Sequence, residues 1–111
     1  MYAICILESA EDDMVDHLSY VRRQWGDACA DAAYETLMQK LTLLEVQPHL
    51  GSKVPELSSL GLTDFRVLVH QTHTKVLYEV DEPHQQIYIH MIFGSAQDFQ
   101  TLLYKRIIGS K

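Results

Sequence analysis

The chain has 111 residues, 47% of them hydrophobic, and a formal net charge of −6 with histidines neutral. That length suits one domain over residues 1–111 with a modest core, and no stretch approaches the roughly 18 uninterrupted apolar residues of a membrane span. The acid excess excludes a broad cationic face of the kind that displaces counterions from nucleic acid.

The opening Met1-Tyr2-Ala3-Ile4-Cys5-Ile6-Leu7-Glu8 has no basic region and meets acid at once, so it reads as a first strand rather than a leader. Ser9-Ala10-Glu11-Asp12 is a helix-start pattern, in which side chains satisfy free backbone N–H groups. Glu11, Asp12, Asp13 and Asp16 then read as a solvated first turn. Met14, Leu18, Val21 and Trp25 form one apolar stripe that Gly26 ends, with Trp25 expected in the core. Asp27 caps a second helix, whose apolar face holds Cys29, Ala30, Ala33, Tyr34, Leu37, Leu41 and Leu44. The two make a helical hairpin. Cys5 and Cys29 read as free, buried thiols of a reducing compartment, with a disulfide or a reactive thiol as alternatives. A cytoplasmic location is the expectation.

Residues 48–64 read as a long irregular connection, stiffened by Pro55 and anchored by Val54, Leu57 and Leu60. Three alternating runs follow and predict strands. Phe65, Val67 and Val69 share one face of the first, Val76, Tyr78 and Val80 of the second, and Ile87, Ile89, Met91 and Phe93 of the third. Short links predict an antiparallel meander. A last helix is expected from Ser95, carrying Phe99, Leu102, Leu103, Arg106 and Ile107. The fold class is therefore α+β: an N-terminal strand, a helical hairpin packed on the meander, and a C-terminal helix. The hairpin needs an apolar face to cover, which leaves Arg66, Leu68, His70, Lys75, Leu77, Glu79, Tyr88, His90 and Ile92 for the open one.

The order of motifs resembles the RelE/ParE superfamily of bacterial toxins, on its ParE-like, plasmid-stabilisation branch. The residues that carry it are Ser9-Ala10-Glu11-Asp12-Asp13 with Tyr20 and Trp25-Gly26, Ala28 with Ala32, Pro48-His49-Leu50-Gly51, and Val54-Pro55-Glu56-Leu57. They continue with Phe65-Arg66-Val67-Leu68, Leu77-Tyr78-Glu79-Val80-Asp81, and Asp98 with Leu102-Leu103 and Arg106. The resemblance implies a toxin neutralised by a cognate antitoxin that covers Arg66 and Lys75. It also implies one of two actions. RelE-like members cut messenger RNA on the ribosome with basic residues of the open sheet face; ParE-like members poison DNA gyrase by binding.

Arg66 and Lys75 stand where the ribonuclease branch has cations, and both can hold phosphate. Leu68, Ala96 and Leu102 depart from that branch, although Tyr104 lies close to Leu102. His70 and His90 are the candidate acid and base. The acidic charge opposes docking to a ribosome, so the ParE-like reading is favoured. The alternatives are a RelE-like endoribonuclease and a non-toxic interaction domain. No cofactor is implied. His70 and His73 near Glu79, Asp81 and His84 offer no quartet at metal spacing, so no metal is expected.

Overall fold

The structure, a computed structural model, describes residues 1–70, 74–94 and 98–109. Strand β1 (Ala3–Ile6) runs straight into helix α1 (Glu8–Trp25), and Gly26 turns the chain into α2 (Asp27–Leu43). A short strand β2 (Ser52–Lys53) and one turn of helix α3 (Pro55–Ser58) precede β3 (Phe65–His70), β4 (Thr74–Asp81) and β5 (Gln86–Gly94). The last helix, α4 (Phe99–Leu103), continues as a wider π-helical turn over Tyr104–Ile108. Among the described residues no helix is long and apolar enough to cross a membrane.

The sheet has five strands in the order β1-β5-β4-β3-β2. The β5-β4-β3-β2 ladder is antiparallel, and β1 lies parallel to β5 with Ile4 opposite Ile87. The connection expected to be wholly irregular thus supplies an edge strand and a helical turn. Within it Val54 and Leu57 are buried anchors, whereas Leu60 is 58% exposed.

α1 starts at Glu8, before the expected cap. The Leu7 N–H still pairs with the Ile89 carbonyl, and the Leu7 carbonyl already accepts from Ala10 and Glu11. Only Leu7 is left between strand and helix, so Ser9 falls inside the helix and no side chain caps it. The C-terminal helix does have a side-chain cap: Asp98 accepts from the Thr101 N–H and hydroxyl, which holds its carboxyl below the usual range. Its expected start at Ser95 lies outside the described residues.

Two cores sandwich the sheet. One packs Ala10, Met14, Leu37, Leu41 and Leu44 of the hairpin against Leu68, Val76, Tyr78, Val80, Ile87, Ile89 and Ile92. The other packs Val54, Leu57 and Leu103 against Phe65, Leu77, Met91 and Phe93. The face expected to be open is therefore largely apolar and covered, and Leu77 on it is fully buried. Several face assignments reverse. Leu68 lies under the hairpin, while Phe65 and Val67 belong to the second core and Val69 is 56% exposed. In β5 a bulge does the reversing: Leu77 pairs with Met91 but Tyr78 pairs with Ile89, so His90 is an extra residue. Ile87 and Ile89 face the hairpin before the bulge, and beyond it Ile92 does, sending Met91 and Phe93 to the opposite side. A one-residue shift moves every following side chain to the other face.

The hairpin also differs in detail. Trp25 is 62% exposed and meets Tyr20 edge to face at 5.9 Å, so it is no core residue. Cys29 is exposed and Cys5 half-buried; both are free, but neither is fully buried.

Candidate functional site

The loop from Pro48 to Gly51 is bolted to the hairpin side of the sheet. The Tyr78 hydroxyl, in the β4 centre, accepts from the Gly51 N–H and donates to the Pro48 carbonyl, each at 2.8 Å. Burial pushes that phenol's pKa up, so it stays a donor. A Cβ on Gly51 would lie 2.7 Å from the Val67 carbonyl oxygen and 2.9 Å from the Tyr78 ring. Glycine is required there by close approach. Arg66 completes the fastening, donating to the carbonyls of Gly51 at 2.6 Å and His49 at 3.2 Å. Beside it, Glu82 accepts from the Tyr2 hydroxyl at 2.5 Å and from His49 Nε2 at 2.6 Å. The Tyr2 hydrogen bond, more than that of His49, holds the Glu82 carboxyl below its ordinary range.

Arg66 therefore does not lie on an open face. It stands opposite Tyr78 in the ladder, whereas Lys75 stands opposite Val69 and Phe93. Side chains alternate along a strand, so the two cations project from opposite sides of the sheet. One extended partner segment on one face cannot cover both. The two candidate histidines are separated in the same way. His70 is buried on the hairpin side. His90, on the other, holds Glu79 at 2.9 Å and tilts against Phe65 at 5.0 Å between ring centroids. They do not form an acid–base pair. Tyr104, on the π-turn, is 63% exposed. Ala96 and His73 lie outside the described residues. His84 pairs with Asp81, and no group of three or more metal-ligating side chains converges among the described residues.

The second side of the sheet has its own fastening, which sequence reasoning missed. Asp13, expected to be solvated, is half-buried and receives both Arg106 guanidinium nitrogens at 3.1 and 2.9 Å. It also accepts from the Ile92 N–H, and Arg106 donates to the His90 carbonyl at 3.0 Å. The π-turn, α1 and the β5 bulge are thus tied at one point. Phe93 and Phe99 stack nearly parallel at 4.9 Å and seat α4 on the sheet. Nothing in the run Glu11-Asp12-Asp13 singles out Asp13 as the partner of an arginine 93 residues further on. What this surface offers outward is Tyr104, with Lys105 beside it, on a turn held rigid from behind.

A helical hairpin against a β1-β5-β4-β3-β2 sheet, closed on the far side by the C-terminal segment, is the fold of RelE/ParE superfamily toxins. A chromosomal ParDE toxin–antitoxin system from P. aeruginosa has a chain that superposes with a TM-score of 0.66 at 16% identity, covering 85% of this chain and 96% of that one. A mutant of the E. coli toxin RelE in the free state gives 0.62 at 14% identity, covering 98% and 96%. The RelBE2 toxin–antitoxin complex from Mycobacterium tuberculosis gives 0.52 at 15% identity, covering 84% and 96%. At these identities the likeness is one of fold. No curated protein matches by sequence. Residues 4–99 match the family model of the ParE toxin of the type II toxin–antitoxin system parDE, and the chain belongs to that family.

Proposed function

We propose that the chain is a ParE-like toxin that inhibits DNA gyrase by binding, with no chemical step of its own, and that a cognate antitoxin neutralises it. The observation that carries the choice is the separation of Arg66 from Lys75. Phosphoryl chemistry on RNA needs cations that converge on one phosphate. Here one guanidinium is engaged by two loop carbonyls on the hairpin side and the one candidate ammonium projects from the other. His70 and His90 are divided likewise, so an acid and a base do not meet across a substrate. The ParE family match supports the same reading.

A binding mode asks instead for a rigid, exposed anchor. Tyr104 fits: it is aromatic, exposed and carried on a turn that Arg106 fixes to α1 and β5. The antitoxin reading is supported by the ParDE and RelBE2 structures, which are toxin–antitoxin systems. Its segment would lie over the side of the sheet that carries Lys75 and the C-terminal turn, in the cytoplasm of a bacterium.

The test uses the purified chain with gyrase and relaxed plasmid, and in parallel with translating ribosomes. Inhibition of supercoiling, lost in Tyr104→Ala at unchanged melting temperature, is the expected result. Messenger RNA cleavage on the ribosome without effect on gyrase would overturn it.

A further inference from the structure

The helical hairpin runs on past the sheet it covers. The last α1 side chains in a core are Met14, which is buried, and Leu18, which is partly so. From Leu18 the helix continues to Trp25, about 10 Å further at 1.5 Å per residue. Every residue from Arg22 to Cys29 is exposed. At this tip Trp25 is 62% and Tyr20 49% exposed, although the two rings meet edge to face at 5.9 Å. The chain reversal itself is made by Gly26, which takes φ 94°, and asks for no aromatic side chain. Half-exposed tryptophan and tyrosine beside arginine is the composition of a contact patch.

The charge around the rings is balanced. α1 ends in Arg22 and Arg23, and α2 opens with Asp27 and carries Asp31 one turn on. Within the chain, Arg22 Nε lies 3.0 Å from Asp27, whereas Asp31 is approached by Arg22 only to 4.0 Å. Among the described residues no ion pair engages Arg23. A uniformly acidic or basic partner would meet like charge here. A second copy presents the same two signs, and a two-fold axis brings each onto its opposite. Two copies of a chain with net charge −6 ordinarily repel. The tip avoids this, because the α1 carboxylates Glu11, Asp12 and Asp16 lie towards the other end of the helix. Asp16 is about 14 Å from Trp25 along the axis. Tip-to-tip contact doubles that separation, well beyond the screening length of about 8 Å at physiological salt.

We propose that the hairpin tip is a self-association surface. Trp25 and Tyr20 of one copy pack against the same rings of a second, and Arg23 of each copy pairs with Asp31 of the other while Arg22 keeps Asp27. The two half-exposed rings offer on the order of 200 Å² per copy. The whole interface then falls below about 1,200 Å², in the range of transient contacts, so the dimer is weak and concentration-dependent. The surface lies on other elements than Tyr104 and does not depend on the gyrase reading.

Sedimentation equilibrium of the full chain, from about 10 µM to about 1 mM, tests this. Monomer at the low end and dimer at the high end are expected. Trp25→Ala should weaken self-association at least about tenfold. Arg23→Glu and Asp31→Arg should each do the same by setting like charges face to face. Both are at exposed positions, so they keep the test decisive if Trp25→Ala lowers the melting temperature. An equimolar mixture of the two charge reversals should recover the dimer, as a heterodimer, because opposite charges meet again at both pairs. A chain that stays monomeric at the highest concentration, a dimer indifferent to all three variants, or a mixture that does not recover would overturn the proposal. So would a monomeric chain whose cognate antitoxin binds Trp25→Ala less tightly, which would give the tip to the antitoxin instead.

Discussion

The hairpin side of the sheet is covered by two long helices and a loop fastened through Tyr78 and Arg66. The other side is covered by the single turn of α3 and a short C-terminal segment fastened through Asp13 and Arg106. Both fastenings use an arginine on backbone carbonyls, yet they do different work. Arg66 holds a connector in place by giving its Nη1 to two loop carbonyls. Arg106 makes a rigid platform of a segment that would otherwise fray, and that platform displays an exposed tyrosine. An arginine's place in a motif thus says little of its role until its acceptors are known.

The largest expected effects come from emptying each core. Leu37→Ala, under α2, should lower global stability by about 2–5 kcal/mol in denaturant unfolding. Leu103→Ala should cost less overall, because the C-terminal segment can detach locally. Native-state hydrogen exchange would then speed up over residues 99–108 while the β4 amides stay protected. Equal global losses would erase the distinction between the two sides.

Next are the fastenings. Gly51→Ala should cost about 1–3 kcal/mol, since the added Cβ meets backbone that has to shift. Arg106→Ala should cost about 1–3 kcal/mol by leaving Asp13 half-buried and short of its donors. It should also weaken any activity carried by Tyr104. Thermal unfolding of the two variants beside a functional assay separates them: Gly51→Ala should act on stability alone.

The smallest effect is that of pH. The folded-state pKa values of His17 and His70 lie below the ordinary histidine value, so the unfolded chain takes up protons first on acidification. Stability should be fully present above about pH 6.5 and decline below it. Replacing His17 by Gln should flatten that decline in a series of melts at low salt. An unchanged slope would mean that burial of His17 does not set its titration.

The elements were legible in the sequence because their apolar periods are clean: β1, the hairpin and the three long strands all lie where alternation or helical spacing put them. The faces were not. Once both sides of a sheet are packed, Phe65 and Leu68 look equally like core, and alternation no longer says which way either points. The β5 bulge compounds this, because nothing in Ile89-His90-Met91 marks His90 as the extra residue. The two-residue β2 is too short to carry a period. The Pro48–Gly51 motif was visible, but its reason, a tyrosine hydroxyl holding both ends of the loop, exists only across strands. Of the candidate site residues, Tyr104 was singled out only as a tyrosine close to Leu102, and its exposure is visible only in the structure. Arg66 and Lys75 looked like a pair because each occupies a family position, and strand register alone divides them.

The central claim is that the chain acts on gyrase by binding. The most direct measurement induces it alone in a bacterial host that carries a DNA-damage reporter and counts surviving colonies. The account expects killing with the reporter on, and recovery of both when the cognate antitoxin is co-expressed. Killing with the reporter silent, or unaffected growth with soluble protein confirmed, would contradict it.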